Sequence, residues 1–258
     1  MIETRSMTAD EILDTRDHRP FPLPAKPWVM RQEWHNLLFA HWSVDPDLIR
    51  PLVPAQLSLD LWQGRAYIAV APFVIRGLRA RGTPGLPGIS NFPEVNVRTY
   101  VRFRDQPGVY FFSLDAGNLS AVAGARMMYK LPYYSARMTV ADVDGQIVYT
   151  SRRVSRGSAM ETPELRVAYA LCGDVLPWKP PSESLERFLI ERYCLYNVGA
   201  RRLYRTHIHH VPWPLQPASA DIQKNTMVAP LRLPLEGMPL LHFSRSIDVL
   251  VWWPERVA

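Results

Sequence analysis

Polar and apolar positions alternate most cleanly over residues 94–103, EVNVRTYVRF. Val95, Val97, Thr99, Val101 and Phe103 fall on one face of an extended chain, and Glu94, Asn96, Arg98, Tyr100 and Arg102 on the other. This period of two predicts a strand, paired with GVYFFSL (108–114) across a turn at 105–108. Alternating or β-branched runs at 57–62, 66–75, 164–171, 199–210 and 240–253 read as further strands, and Asp144-Gly145 sets a two-residue hairpin inside 135–154. Three stretches have a helical period. Residues 44–54 form a short helix with Asp45 as cap and Pro46 at its first position. Residues 118–130 repeat apolar positions every three or four residues from a cap at Asn118 to a stop imposed by Pro132. Residues 182–197 read as the clearest helix, capped by Ser182 or Ser184.

The 24 prolines are spread along the chain and disfavour long helices, and residues 76–93 read as a Gly/Pro loop. The pattern therefore predicts a mainly β (α+β) fold. It is one domain over 28–258, with two or three helices on or inside a curved sheet, preceded by a flexible arm at 1–27.

Composition narrows the function classes. The 258 residues are 47% hydrophobic and 21% charged, and no apolar run reaches the roughly 20 residues needed to span a bilayer, so no membrane partner is expected. The net charge of +6 comes from scattered arginines without a nucleic-acid-binding motif, which suits a solvated surface or an anionic ligand better than DNA or RNA. The two cysteines, Cys172 and Cys194, make neither a disulfide framework nor a metal pair. Both sit among apolar residues, are read as buried free thiols, and fit a reducing, cytoplasmic location.

Three constellations carry candidate chemistry. Lys130, in ARMMYKLPYY, has apolar and tyrosine neighbours that would desolvate an amine, the condition for a Schiff-base nucleophile, although a cation in a last helical turn ordinarily points to water. Glu94, Asn96, Arg98 and Tyr100 make one polar row, which lines a cavity if the sheet closes with that face inward and meets solvent if it does not. In THIHH, His207 and His209 share a strand face opposite His210, but no acidic or cysteine ligand follows nearby, so structural roles are expected and no metal site. No phosphate-loop, dinucleotide or serine-hydrolase motif occurs, and no cofactor is expected.

The segments NLLFAHWSVDPDLIRPLVP, FPEVNVRTYV, GVYFFSLDA, ARMMYKLPYYSARM and HHVPWPL, in this order, resemble the YqjF-like family of uncharacterised conserved proteins, grouped with the acetoacetate decarboxylase-like superfamily. The resemblance runs from about Trp34 to Trp253. It implies a curved, double-layered antiparallel β-sheet or barrel around a closed pocket. Those decarboxylases carry an aromatic-x-Glu motif with an active-site glutamate, matched here by Phe92 and Glu94. They also carry Gly-Arg-x-x-Tyr-Gly-Phe-Pro-Lys-Lys, whose first lysine forms the Schiff base. Here Arg126, Tyr129 and Pro132 fall on its arginine, tyrosine and proline, Lys130 on its second glycine, and Tyr133 and Tyr134 on the two lysines. A tyrosine has no amine, so decarboxylase chemistry at that position is lost.

The leading expectation is thus an enclosed small-molecule pocket for an organic acid or carbonyl compound. Glu94, Tyr133 and Lys130 are the candidate catalytic residues, and Asn96, Arg98 and Arg126 the candidate binding residues. The alternatives are a non-enzymatic protein acting through its basic surface and a Schiff-base lyase using Lys130. Because the decarboxylases are large oligomers, the resemblance also leaves a homo-oligomer open.

Overall fold

The computed structural model describes residues 7–118, 129–154, 161–172, 180–199 and 202–258. The strands are β1 (Met30–Val44), β2 (Ser58–Leu59), β3 (Ala66–Ala80), β4 (Phe92–Phe103), β5 (Gln106–Ala116), β6 (Tyr133–Val143), β7 (Gln146–Arg153), β8 (Glu164–Leu171), β9 (Cys194–Gly199), β10 (Arg202–His209), β11 (Gln216–Asn225), β12 (Leu240–Val251) and β13 (Glu255–Arg256). Three short helices accompany them among the described residues: α1 (Ala9–Asp14), α2 (Pro46–Ile49) and α3 (Leu185–Ile190).

One continuous network of strand pairs closes twice. A nine-strand ring runs β4-β5-β6-β7-β8-β11-β12-β1-β3 and back to β4. A second ring shares β12, β1, β3, β4 and β5 and is completed by β9 and β10. Pairing is antiparallel except at β5, which runs parallel to both β6 and β9. Closure removes free edges from both barrels.

The shared wall explains the alternation in 94–103. Its strands are buried on both faces, so each face serves a different barrel. Val95, Val97 and Val101 join Leu38, Val70, Tyr149 and Tyr169 inside the nine-strand ring. Tyr100 joins Phe39, Phe111, Ile208, Trp213 and Val249 inside the second ring.

Several local expectations hold. Asp45 caps α2 through the Asp47 amide, with Pro46 at the first helical position. Asp144 and Gly145 both take positive φ in the β6–β7 hairpin.

Others are corrected. The helix expected over 182–197 ends at Ile190, and Cys194–Gly199 is a strand, because Cys194 and Tyr196 must alternate into an apolar core that a helical turn would not reach. The 76–93 loop is shorter, since β3 runs on to Ala80 and β4 begins at Phe92. Cys172 is exposed, whereas Cys194 is buried as expected. The helix expected at 118–130 lies almost wholly outside the described residues.

From Met7 onward the arm, which the sequence presents as flexible, is packed on the barrel. Thr8 and Glu11 cap α1 reciprocally, and Ile12 is fully buried. Arg19 Nη1 donates to the Ile208 carbonyl, and its guanidinium lies over Phe21 and Tyr193. The Trp252 indole N–H donates to the Lys26 carbonyl. A buried isoleucine and a buried, stacked arginine anchor a segment whose composition alone reads as loose.

The β5–β9 seam is tight enough to specify its residue. A Cβ added to Gly108 would stand 2.5 Å from the Cys194 carbonyl oxygen and 2.6 Å from the Tyr196 ring. Backbone cannot yield at such contacts, so Gly108→Ala is expected to destabilise the protein by about 3 kcal/mol, measured as a lowered urea midpoint. A loss below about 1 kcal/mol would mean that the seam can slide open at little cost.

Candidate functional site

Strand alternation puts Glu94, Asn96 and Arg98 on the face of β4 that lines the second barrel. They are 2%, 7% and 8% exposed, which removes solvent as the explanation for this polar face. The cavity they line has a volume of about 70 Å³. A single water needs roughly 10–15 Å³ on this measure, so there is room for a ligand on the order of five heavy atoms. Much of the remaining wall is apolar, with Val109, Phe111 and Leu114 from β5, Leu195 from β9 and Ile208 from β10.

β1 reaches this cavity by a break in its own alternation. Met30, Gln32 and Trp34 line it, yet further along the strand Leu37 and Phe39 pack on the same barrel's interior. Even and odd positions share a face because Asn36 takes φ 51° within a register irregularity between His35 and Ala40. Such a bulge shifts the side-chain period by one residue, and asparagine tolerates the left-handed conformation.

Electrostatics inside the cavity are unusual. Burial raises the Glu94 carboxyl to about pH 8, against hydrogen bonds from Tyr133 and Asn96 that favour its ionised form. At neutral pH it therefore keeps its proton. Among the described residues, the buried Nε and Nη2 groups of Arg98 have no partner and no ion pair involves it. Its guanidinium lies 5.5 Å from the Phe39 ring centre and hydrogen-bonds Tyr100, whose hydroxyl is 2.7 Å from His41 Nε2. Burial drives His41 well below its usual pKa, and the nearby Arg98 adds to this, so the ring is neutral. The second cavity arginine, Arg192, is compensated: it pairs with buried Asp60, which also binds Arg102. Among the described residues, the cavity thus contains one buried cation without an anion.

The candidate residues separate. Glu94, Asn96 and Arg98 come together as expected. Tyr133 does not line the cavity and reaches it through its hydrogen bond to Glu94. Tyr134 turns to the opposite face, where the Arg153 guanidinium lies 3.9 Å from its ring while binding Asp115 through two hydrogen bonds.

Lys130 is a correction. It is exposed, and its ammonium donates to the Tyr204 hydroxyl at 2.8 Å. Its backbone takes φ 54°, and its stem lies against Gly199, so the side chain runs outside the barrel wall. Its amine is therefore not a cavity group, and the Schiff-base reading loses its nucleophile. Arg126 lies outside the described residues.

Sequence reasoning missed Arg192, Thr206, His210 and Trp213, all of which line the cavity. THIHH held a signal for two of them, since Thr206, Ile208 and His210 share one strand parity. His207 and His209 bind elsewhere, to Glu255 and to the Ile12 carbonyl. Among the described residues no three His, Cys, Asp or Glu side chains gather into a metal-binding group. No described helix is long and apolar enough to cross a membrane.

Comparison with known proteins agrees with this architecture. The family model of the DUF2071 uncharacterized conserved proteins matches residues 31–248. The uncharacterized protein YqjF of Bacillus subtilis (strain 168) is 43% identical over 226 residues, covering 87% of this chain and 91% of the relative. Among solved structures, the acetoacetate decarboxylase of Legionella pneumophila superposes with a TM-score of 0.61 at 13% identity, covering 96% of this chain and 95% of the other. The enduracididine biosynthesis enzyme MppR complexed with pyruvate gives a TM-score of 0.61 at 13% identity, covering 93% of each chain. At such identities the solved structures show a shared acetoacetate decarboxylase-like fold.

Proposed function

This chain belongs to the DUF2071 family of uncharacterized conserved proteins, and we propose that it uses its barrel cavity to bind a small organic acid or carbonyl compound. The observation that carries this reading is Arg98, a buried guanidinium whose Nε and Nη2 have no partner, and which has no counterion, among the described residues. A buried cation is costly unless an anion meets it, and a planar guanidinium suits a carboxylate best. MppR, whose structure holds pyruvate, lends support at the level of the fold.

Glu94 supplies the complementary group. As a protonated carboxyl it donates a hydrogen bond to a carbonyl oxygen, or transfers its proton when charge develops there. Asn96, one pleat along, orients that carboxyl. Tyr133 stands where the decarboxylases carry their nucleophilic lysine, so covalent imine chemistry is replaced by hydrogen bonding. In this reading Tyr133 positions Glu94, and Glu94 is the group that meets the ligand.

Calorimetric titration with propanoate, butanoate and acetoacetate, against propanamide and butanamide, tests the reading. The carboxylates should bind at least about tenfold more tightly than amides of the same shape, because only they compensate Arg98. Equal affinities, or no binding by any acid, would sink it.

A further inference from the structure

A second recognition point lies across the cavity from Arg98, at His210 and Trp213. His210 is fully buried, and its Nδ1 lies 2.7 Å from the Val211 carbonyl oxygen. A carbonyl only accepts, so Nδ1 carries the proton and Nε2 presents a lone pair. Burial, with His209, His18 and Arg19 close by, keeps the ring neutral. That Nε2 has no partner among the described residues. Trp213, 2% exposed, uses its backbone N–H on Glu191 at 3.2 Å, but its indole N–H has no acceptor among the described residues. The two rings stand 5.0 Å apart, centre to centre, and both line the cavity.

This pair offers one acceptor and one donor, each buried and each unpartnered. An anion would be repelled by the imidazole lone pair, and an ammonium could not accept from the indole. A hydroxyl is the smallest group that does both at once. Phe39 neighbours both recognition points, 5.5 Å from the Arg98 guanidinium carbon and 5.0 Å from the Trp213 ring, which bounds how far apart they can be. A short chain can therefore reach from one to the other, and much of the cavity wall is hydrocarbon.

We propose that the ligand is a short hydroxy acid, its carboxylate on Arg98 and its hydroxyl between His210 Nε2 and the Trp213 indole N–H. This rests on the cavity reading above and specifies its ligand class. A buried hydroxyl site rejects an analogue without the hydroxyl strongly, because its own polar groups are then left unpaired.

The test is titration of wild-type protein and Trp213→Phe with butanoate and its 2-, 3- and 4-hydroxy derivatives. In wild type, at least one hydroxybutanoate should bind about tenfold or more tightly than butanoate. In Trp213→Phe an aromatic ring still faces Trp34 and Phe39, while the indole N–H is lost together with part of the ring. The ratio of hydroxybutanoate to butanoate affinity should then shrink to about twofold. Should that variant fail to fold, His210→Phe removes the acceptor and carries the same expectation. Butanoate and all hydroxybutanoates binding equally to wild type, or the preference surviving in the variant, overturns the hydroxyl site alone. No binding of any carboxylate overturns the cavity reading and this inference with it.

Discussion

Arg98→Met is expected to weaken carboxylate binding by about 100-fold or more while leaving the fold intact and, without ligand, slightly more stable. The two effects have one cause. Arg98 is buried among Phe39, Tyr100 and the cavity walls, and no described carboxylate pairs with it. In the ligand-free protein its desolvation is uncompensated, so an apolar side chain of similar length relieves a cost on the order of 1–4 kcal/mol. A bound carboxylate supplies charge-assisted hydrogen bonds in a low-dielectric cavity, and losing those costs at least about 2.7 kcal/mol, which is the 100-fold. Tyr100 keeps its contact to His41, so the supporting network survives. Titration calorimetry and thermal unfolding read the two effects separately. A lowered melting temperature would show that Arg98 is a structural residue. Unchanged affinity would show that the anion binds elsewhere.

The pH dependence of stability should change sharply in Glu94→Gln. Native Glu94 titrates near pH 8, against an ordinary value of 4.5 that applies in the unfolded chain. Below pH 4.5 both states hold the proton, and the stability associated with this group is fully present. From there to about pH 8 the unfolded chain ionises and the native carboxyl does not. Stability is then lost at up to about 1.4 kcal/mol per pH unit, levelling off once the native group also ionises. Glutamine keeps a carbonyl oxygen for Tyr133 and removes the titration. The variant should therefore gain on wild type by several kcal/mol between pH 4.5 and pH 8. Urea denaturation across that range measures the divergence, and all other titrating groups cancel between the two proteins. Parallel curves would mean that Glu94 is ionised in the native state, leaving no proton there to donate.

Much of this architecture was legible in the chain. The alternation in 94–103 identified the strand, and its polar face identified Glu94, Asn96 and Arg98 as one row. Turn chemistry at Asp144-Gly145 and the cap at Asp45 were readable because they depend on a few neighbouring backbone groups. The resemblance to decarboxylases implied the barrel, and the shared fold agrees with it.

What local pattern could not give is direction in a closed sheet. The polar row fitted solvent or cavity equally well, and only closure of the second ring by β9 and β10 turned it inward. Lys130 had neighbours suited to a desolvated amine, yet its φ of 54° and the path past Gly199 carry it outside. The left-handed Asn36 in β1 put Trp34 and Phe39 on one barrel face, a shift that no period of two can encode. His210 and Trp213 come from the end of β10 and the loop after it, and meet Arg98 of β4 only across the barrel. The sequence by itself determined which residue types stand on which strand, because strand formation and turns are local. The tertiary structure alone decided which of those faces share an interior, because ring closure joins residues far apart in the chain.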